Sequence, residues 1–318
     1  MKKLTRSLAI LLAISLISVS LNSFAQKHKR DLSGQITLSG AFALYPLAVK
    51  WAEEFKKVHP KVRIDISAGG AGKGITDALS GMVDIGMVSR DVYPEEKSKG
   101  AFVIAVAKDA VVPVMNAKNP YAKQILSKGL TRNAGSNIWI TGKYQTWQQA
   151  FGCNGKAPLH TYTRSDACGA AEVWAQYFGK KQEDLQGNGV YSDPGLALAV
   201  KKDPLGIGFN NIGYAYDYKT KRQIAGILVI PLDLNSNGKI DPNENFYGSM
   251  STLIKAISDG KYPSPPAREL YFVTKGKPVK PVVKEFIKWV LSGGQQYVNE
   301  TGYITISKDK LKGELKEF

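Results

Sequence analysis

The segment Thr161-Tyr162-Thr163-Arg164-Ser165-Asp166-Ala167-Cys168-Gly169-Ala170-Ala171 carries the residues best suited to chemistry. An alternating, strand-like run stops at a charged turn, and a helix-compatible run begins. The first N–H groups of a helix lack intrahelical partners and carry the positive end of its dipole, so they hold anions. Arg164 adds a planar, permanently charged donor fork beside them. The ordinary alternative is a helix capped by Asp166 or Ser165, with Arg164 in solvent.

A second constellation, from Asp233 to Glu244, matches the calcium loop of the EF-hand. Asp233, Asn235 and Asn237 offer short-armed oxygens, Lys239 its carbonyl, Asp241 a ligand through water and Glu244 two oxygens, while Gly238 permits the sharp turn. The flanks do not read as paired helices and Pro242 sits inside the loop. A single structural calcium clamp over 233–244 is therefore expected, against the plainer alternative of an Asx-rich surface turn.

Other chemistries find no footing. His28, His59 and His160 lack metal spacing, no Gly-x-Ser-x-Gly elbow occurs, and Arg164 with Asp166 has no partnering base, so an enzyme is not expected. Ser67–Gly74 resembles a nucleotide phosphate loop superficially, but Ser67 stands where the first glycine belongs and Gly74 follows Lys73. Leu291-Ser292-Gly293-Gly294-Gln295 spells a transporter-ATPase signature without the phosphate loop that such an enzyme needs.

The elements that position Arg164 recur along the chain. Ile36–Ser39 alternates as a strand and turns through Gly40–Pro46 into a helix whose Leu47, Trp51, Phe55 and Val58 share one face. Val62, Ile64 and Ile66 form a strand before the turn 67–74, and Val83–Val88 runs into Ser89-Arg90-Asp91. With Arg164, four strands end in glycine-rich or charged turns. In an open α/β sheet such turns gather at the carboxyl ends of the strands, where ligands bind. Ala101–Met115 and Glu269–Thr274 read as long crossover strands. Tyr214, Tyr216 and Tyr218 alternate so as to line either a strand face or the cleft, and Val282, Phe286, Trp289 and Val290 define a final amphipathic helix.

Lys2, Lys3 and Arg6 precede an apolar run from Leu8 to Leu21, and Ser23-Phe24-Ala25 supplies small residues at a cleavage site. Residues 1–25 thus read as a signal peptide cleaved near Ala25, giving a soluble periplasmic or secreted protein. The formal charge of +16 falls by three to +13 without that segment, which favours anionic ligands through long-range steering. The lysines are scattered rather than set in an aromatic-laced stripe, so nucleic acid is not the expected partner. Cys153 and Cys168 are the only cysteines. In an oxidising compartment a disulfide between them would contribute roughly 3 kcal/mol. The competing reading is a free Cys168 thiol whose pKa is lowered at a helix N-terminus.

Taken in order, Gly40–Pro46, Ala68–Gly74, Asp84–Asp91 and Arg164–Ala170 resemble the motif series of the periplasmic phosphate-binding proteins of ABC phosphate importers. The resemblance implies a two-lobed α/β fold of the type II periplasmic-binding-protein kind, each lobe a mixed sheet flanked by helices, joined by two crossover strands. It implies lobe I over 35–108 and 275–318 and lobe II over 109–274. The implied partners are inorganic phosphate or a related oxyanion and a membrane permease, the implied state is a monomer, and no catalytic cofactor is implied. Carried over by motif, the ligand set is Leu44, Tyr45, Ala71, Gly72, Ser89, Arg90, Arg164, Asp166, Cys168, Gly169 and Ala170, with N–H groups near Tyr45, Gly72 and Gly169 as donors.

The departures from that family's pattern are systematic. Ala41, Phe42, Ala43 and Leu44 stand where hydroxyl residues belong, Ala71 replaces a serine, and Cys168 and Ala170 replace Ser and Thr. Each lost charge-assisted hydrogen bond is worth roughly 1.5–3 kcal/mol. Two alternatives therefore stand beside the oxyanion reading. One is the same fold with a larger or less charged ligand, and the other is a calcium-stabilised surface module with no transport role.

Overall fold

The computed structural model describes residues 32–318, so the expected signal peptide at 1–25 lies outside the described residues. Parallel strands cannot be joined by tight hairpins and need a crossover, here a helix. Accordingly β1 (Gly34–Gly40) is followed by α1 (Tyr45–Val58), β2 (Val62–Ala68) by α2 (Ala71–Ser80), and β3 (Ile85–Val88) by the short α3 (Pro94–Ser98). β1 pairs in parallel with both β2 and β3. β4 (Ala101–Asn116) and the returning β11 (Ala267–Lys275) complete this sheet in antiparallel register, with Arg268 opposite Asp109.

Beyond Ala110, β4 changes partners and pairs antiparallel with β8 (Gly206–Asn211) and β9 (Ile227–Val229). β6 (His160–Arg164) joins β8 and β7 (Asn188–Val190) in parallel. A separate small sheet pairs β5 (Leu130–Thr131) with β10 (Leu232–Asp233). α4 (Gly169–Tyr177) and α5 (Asp193–Lys202) follow β6 and β7. The result is a mixed α/β fold of two lobes sharing two crossover strands.

Two hydrophobic cores mark the lobes. Ile104, Val106 and Ala107 of β4 and Leu270, Phe272 and Val273 of β11 belong to the first, whereas Ala110–Val112 and Ala267 belong to the second. Along β11 the packing passes from the second core at Ala267 to the first from Leu270 onward. α1 buries Leu47, Trp51 and Phe55 in the first core, with the Phe55 ring edge to face with Phe286 of α6 (Pro281–Val290) at 5.1 Å. Val58, expected on that face, ends the helix and is 61% exposed. The tyrosines 214–218 do not form a strand: Tyr214 lies in the turn of helix Ile212–Ala215, Tyr216 is buried and Tyr218 is exposed. The ATPase-like pentapeptide is a structural corner, with Gly294 O accepting from Trp51 Nε1 at 2.8 Å and Gln295 Nε2 donating to Val106 O at 3.0 Å.

Candidate anion site between the lobes

β1, β2, β3 and β6 deliver their carboxyl ends to one seam between the lobes. Glycine is needed there for backbone packing. A Cβ on Gly40 would stand 2.3 Å from Met87 O, and one on Gly169 would stand 2.0 Å from Ser89 O and 2.4 Å from Ser89 Oγ. Lobe I and lobe II also bond directly, through Gly72 N to Ala167 O at 3.1 Å and Tyr214 OH to Phe42 O at 3.2 Å. The seam is closed.

Arg164, at the end of β6, is not in solvent: its side chain is 1% exposed. Its Nε and Nη2 donate to Asp166 Oδ1 and Oδ2 at 2.8 and 2.6 Å, a bidentate fork. Its Nη1 lies 2.8 Å from Asp193 Oδ1 as an ion pair, yet without the angle of a hydrogen bond. Burial opposes the Arg164 charge, but the carboxylates of Asp193 and Asp166 hold it above the ordinary arginine value. The Phe42 ring faces the guanidinium at 5.8 Å and meets the Tyr191 ring edge to face at 5.8 Å.

Behind this pair a buried polar ribbon runs from α5 and β8 to the crossover strands β4 and β11. Asp193 Oδ1 also accepts from Asn211 Nδ2 at 2.6 Å, and Asn211 Oδ1 accepts from Arg268 Nη2. Arg268 stands 3.7 Å from Asp109, and Arg268 Nε and Nη1 and Asp109 Oδ2 have no hydrogen-bond partner. Burial pushes the Asp109 carboxyl up to about 6 against the pull of Arg268, and it raises Asp193 in the same way. A groove of about 630 Å³ on the hinge side reaches Arg268 from between Lys108, Tyr262 and Tyr271.

Several expected ligand groups are spent within the chain. Tyr45 N donates to Ala41 O at 3.2 Å, and Leu44 is a core residue. Ala71 is buried at the start of α2, and the Gly69 and Gly70 N–H groups donate to Gly40 O. Arg90 is turned to its own lobe, donating to both carboxylate oxygens of Glu96 at 2.9 and 2.7 Å and stacking on Tyr93 at 4.0 Å. Ser89, Gly169 and Ala170 are buried at the seam.

The cysteine expectations need correction. Cys153 and Cys168 are both buried free thiols, not a disulfide. Cys168 rather than Ser165 or Asp166 is the N-cap of α4, its Sγ accepting from Ala171 N at 3.4 Å. Nor is it an acidic thiol: burial pushes it up to about 12 despite Arg164 nearby.

The 233–244 loop closes on its own hydrogen bonds. Asp233 accepts from Asn237 N and Gly238 N, Glu244 accepts from Leu234 N, Asn235 N and Asp241 N, and the Asn235 and Asn237 amides donate to Asp241. Lys239 pairs with Asp241 at 3.3 Å. Among the described residues, no group of three or more His, Cys, Asp or Glu is placed to hold a metal ion, so the calcium expectation draws no support from this geometry.

Sequence reasoning missed Asp193, Asn211, Arg268 and Asp109. Ser192-Asp193-Pro194 reads as an ordinary helix start, and the only local signal for the others is a polar residue inside an apolar strand.

Comparison with known proteins gives the seam a family context. A family model described as "PBP superfamily domain" matches residues 25–293. The phosphate-binding protein PstS of Bacillus subtilis is 27% identical over 293 residues, covering 91% of this chain and 87% of that protein. A putative phosphate ABC transporter substrate-binding protein from Clostridium perfringens, solved with bound phosphate, superposes with a TM-score of 0.69 at 24% identity, covering 86% of this chain and 100% of that one. An ABC-type phosphate transport receptor from Vibrio cholerae gives 0.62 at 21% identity, covering 85% and 100%.

Proposed function

The chain belongs to the PBP superfamily, and on that premise we propose that it is an exported solute-binding protein that captures phosphate or a related oxyanion between its lobes for an ABC importer. The observation that carries the reading is Arg164, buried where four strand-end turns of two lobes converge. The curated relatives' phosphate-binding names and the net positive charge support the same ligand class. The proposal is binding without catalysis, with delivery to a membrane permease. Isothermal calorimetry on the mature protein with phosphate, sulfate, molybdate and small carboxylates tests it. Phosphate should give saturable heat that Arg164→Ala abolishes, and silence with every oxyanion would sink the reading.

One observation favours a second ligand class on the same fold. Phe42 covers the Arg164 guanidinium where a hydroxyl residue was expected, and Tyr191 extends that aromatic wall. A larger, less charged molecule suits such a surface, and mass spectrometry of the purified protein would reveal it as a co-purifying ligand.

Export after cleavage near Ala25 is part of the proposal, supported by the sequence of the leader, and the N-terminal mass of the protein recovered from the cell envelope or medium checks it. Among the described residues, no helix is long and apolar enough to cross a membrane. A calcium ion at 233–244 is the remaining part. The order of oxygen-bearing residues supports it, as do the buried carboxylates of Asp233 and Glu244, whose N–H partners the ion would displace. Calcium should raise the melting temperature relative to chelator, and an unchanged value would leave the loop a hydrogen-bonded turn.

A further inference from the structure

We propose that Asp193 is a built-in competitor of the ligand, a carboxylate of the chain that pairs with the remaining nitrogen of Arg164 and sets the threshold an oxyanion must beat to bind. The inference rests on the oxyanion reading and adds the residue that controls affinity.

Asp166 alone makes the complete bidentate pair with Arg164 and neutralises it. Asp193 comes from a different element, α5, and brings a second negative charge to the remaining nitrogen. An anion entering beside Arg164 therefore meets one guanidinium flanked by two carboxylates, and like charges at that range disfavour a further one. Arg268 offsets part of this charge, but its Nη2 donates to Asn211 Oδ1 and it faces Asp109 at 3.7 Å, so it is shared among three groups.

The contact is also built to be broken. Asp193 Oδ1 is close to Arg164 Nη1, but that N–H makes no aligned hydrogen bond, unlike the fork to Asp166. The residue before Asp193, Ser192, is held at φ 68° and ψ 157°, a conformation that L residues rarely adopt. Ser192 N donates to Asp166 Oδ1 at 3.1 Å, so the acid that orients Arg164 also holds the strained turn that presents Asp193. Displacing Asp193 leaves the Arg164–Asp166 fork to hold the guanidinium in place and frees Nη1 for the ligand.

Asp193→Asn removes the charge and keeps an oxygen for Asn211. Asp193→Ser, a smaller replacement at the same helix start, guards against misfolding of the first variant. Inorganic phosphate is titrated calorimetrically into wild type and both variants, with thermal melts to show that each is folded. The expected result is phosphate binding at least tenfold tighter in Asp193→Asn, in the same direction in Asp193→Ser. Phosphate binding that the variants leave unchanged or weaken would overturn the inference while the oxyanion reading stands, and would make Asp193 a positioning residue for Arg164. Folded proteins that all ignore phosphate would overturn both.

Discussion

Asp109 is a buried residue whose charge the fold supports poorly. It lies on β4 at the point where the strand leaves one core for the other, wholly buried, with one oxygen unpartnered and Arg268 3.7 Å away. Burial holds its carboxyl at about 6, above the unfolded value near 4, so the folded state binds its proton more tightly. Its stabilising contribution is thus complete below about pH 4 and is lost as pH rises through about 6, a change on the order of 3 kcal/mol for a shift of that size. Asp193 is raised in the same direction and remains in an Asp109→Asn variant, so comparison with that variant isolates Asp109. Urea unfolding from pH 4 to 8 should show wild type losing stability relative to Asp109→Asn by about that amount. Parallel curves would mean that the ribbon tolerates the charge.

At the scale of elements, the strand-to-helix junctions were legible because each is local. Alternation, a glycine-bearing turn and an apolar helical face lie within a dozen or so residues, whereas the backbone contacts that require Gly40, Gly74 and Gly169 are made to Met87 and Ser89, far along the chain. The destinations of the side chains were not legible. Arg90 looks like a ligand group in its motif, yet Glu96 in α3 takes both of its outer nitrogens. Asp193 reaches Arg164 only because β6 and β7 pair in parallel and α5 begins where β7 ends. The 233–244 loop shows the same limit. Its residue types announce a cation, but the same oxygens accept backbone N–H groups equally well. Glu244 accepts three of them while 3% exposed, so Glu244→Gln, which places an amide NH2 against N–H donors, should cost about 1–3 kcal/mol even in chelator. Chemical denaturation in EDTA measures this, and a neutral result would show that the loop is held by its neighbours instead.

Across the whole molecule, the lobes meet through direct contacts between groups of the chain. Gly72 N bonds to Ala167 O, Tyr214 bonds to Phe42 O, and Gly169 packs on the Ser89 backbone. Such contacts set the open–closed balance that a ligand shifts, so a ligand gains only its differential affinity for the closed form. Gly169 tests this cleanly because its two effects separate. Alanine in the first turn of α4 favours the helix by up to about 1 kcal/mol, so lobe II should be no less stable. The same Cβ would stand 2.0 Å from Ser89 O, a backbone atom that cannot step aside without moving lobe I. Gly169→Ala should therefore remain folded in a thermal melt and yet show a larger radius of gyration by small-angle X-ray scattering, with weaker binding of whatever ligand wild type takes. An unchanged radius would place the hinge's rest position elsewhere and leave the seam contacts as consequences of closure rather than its cause.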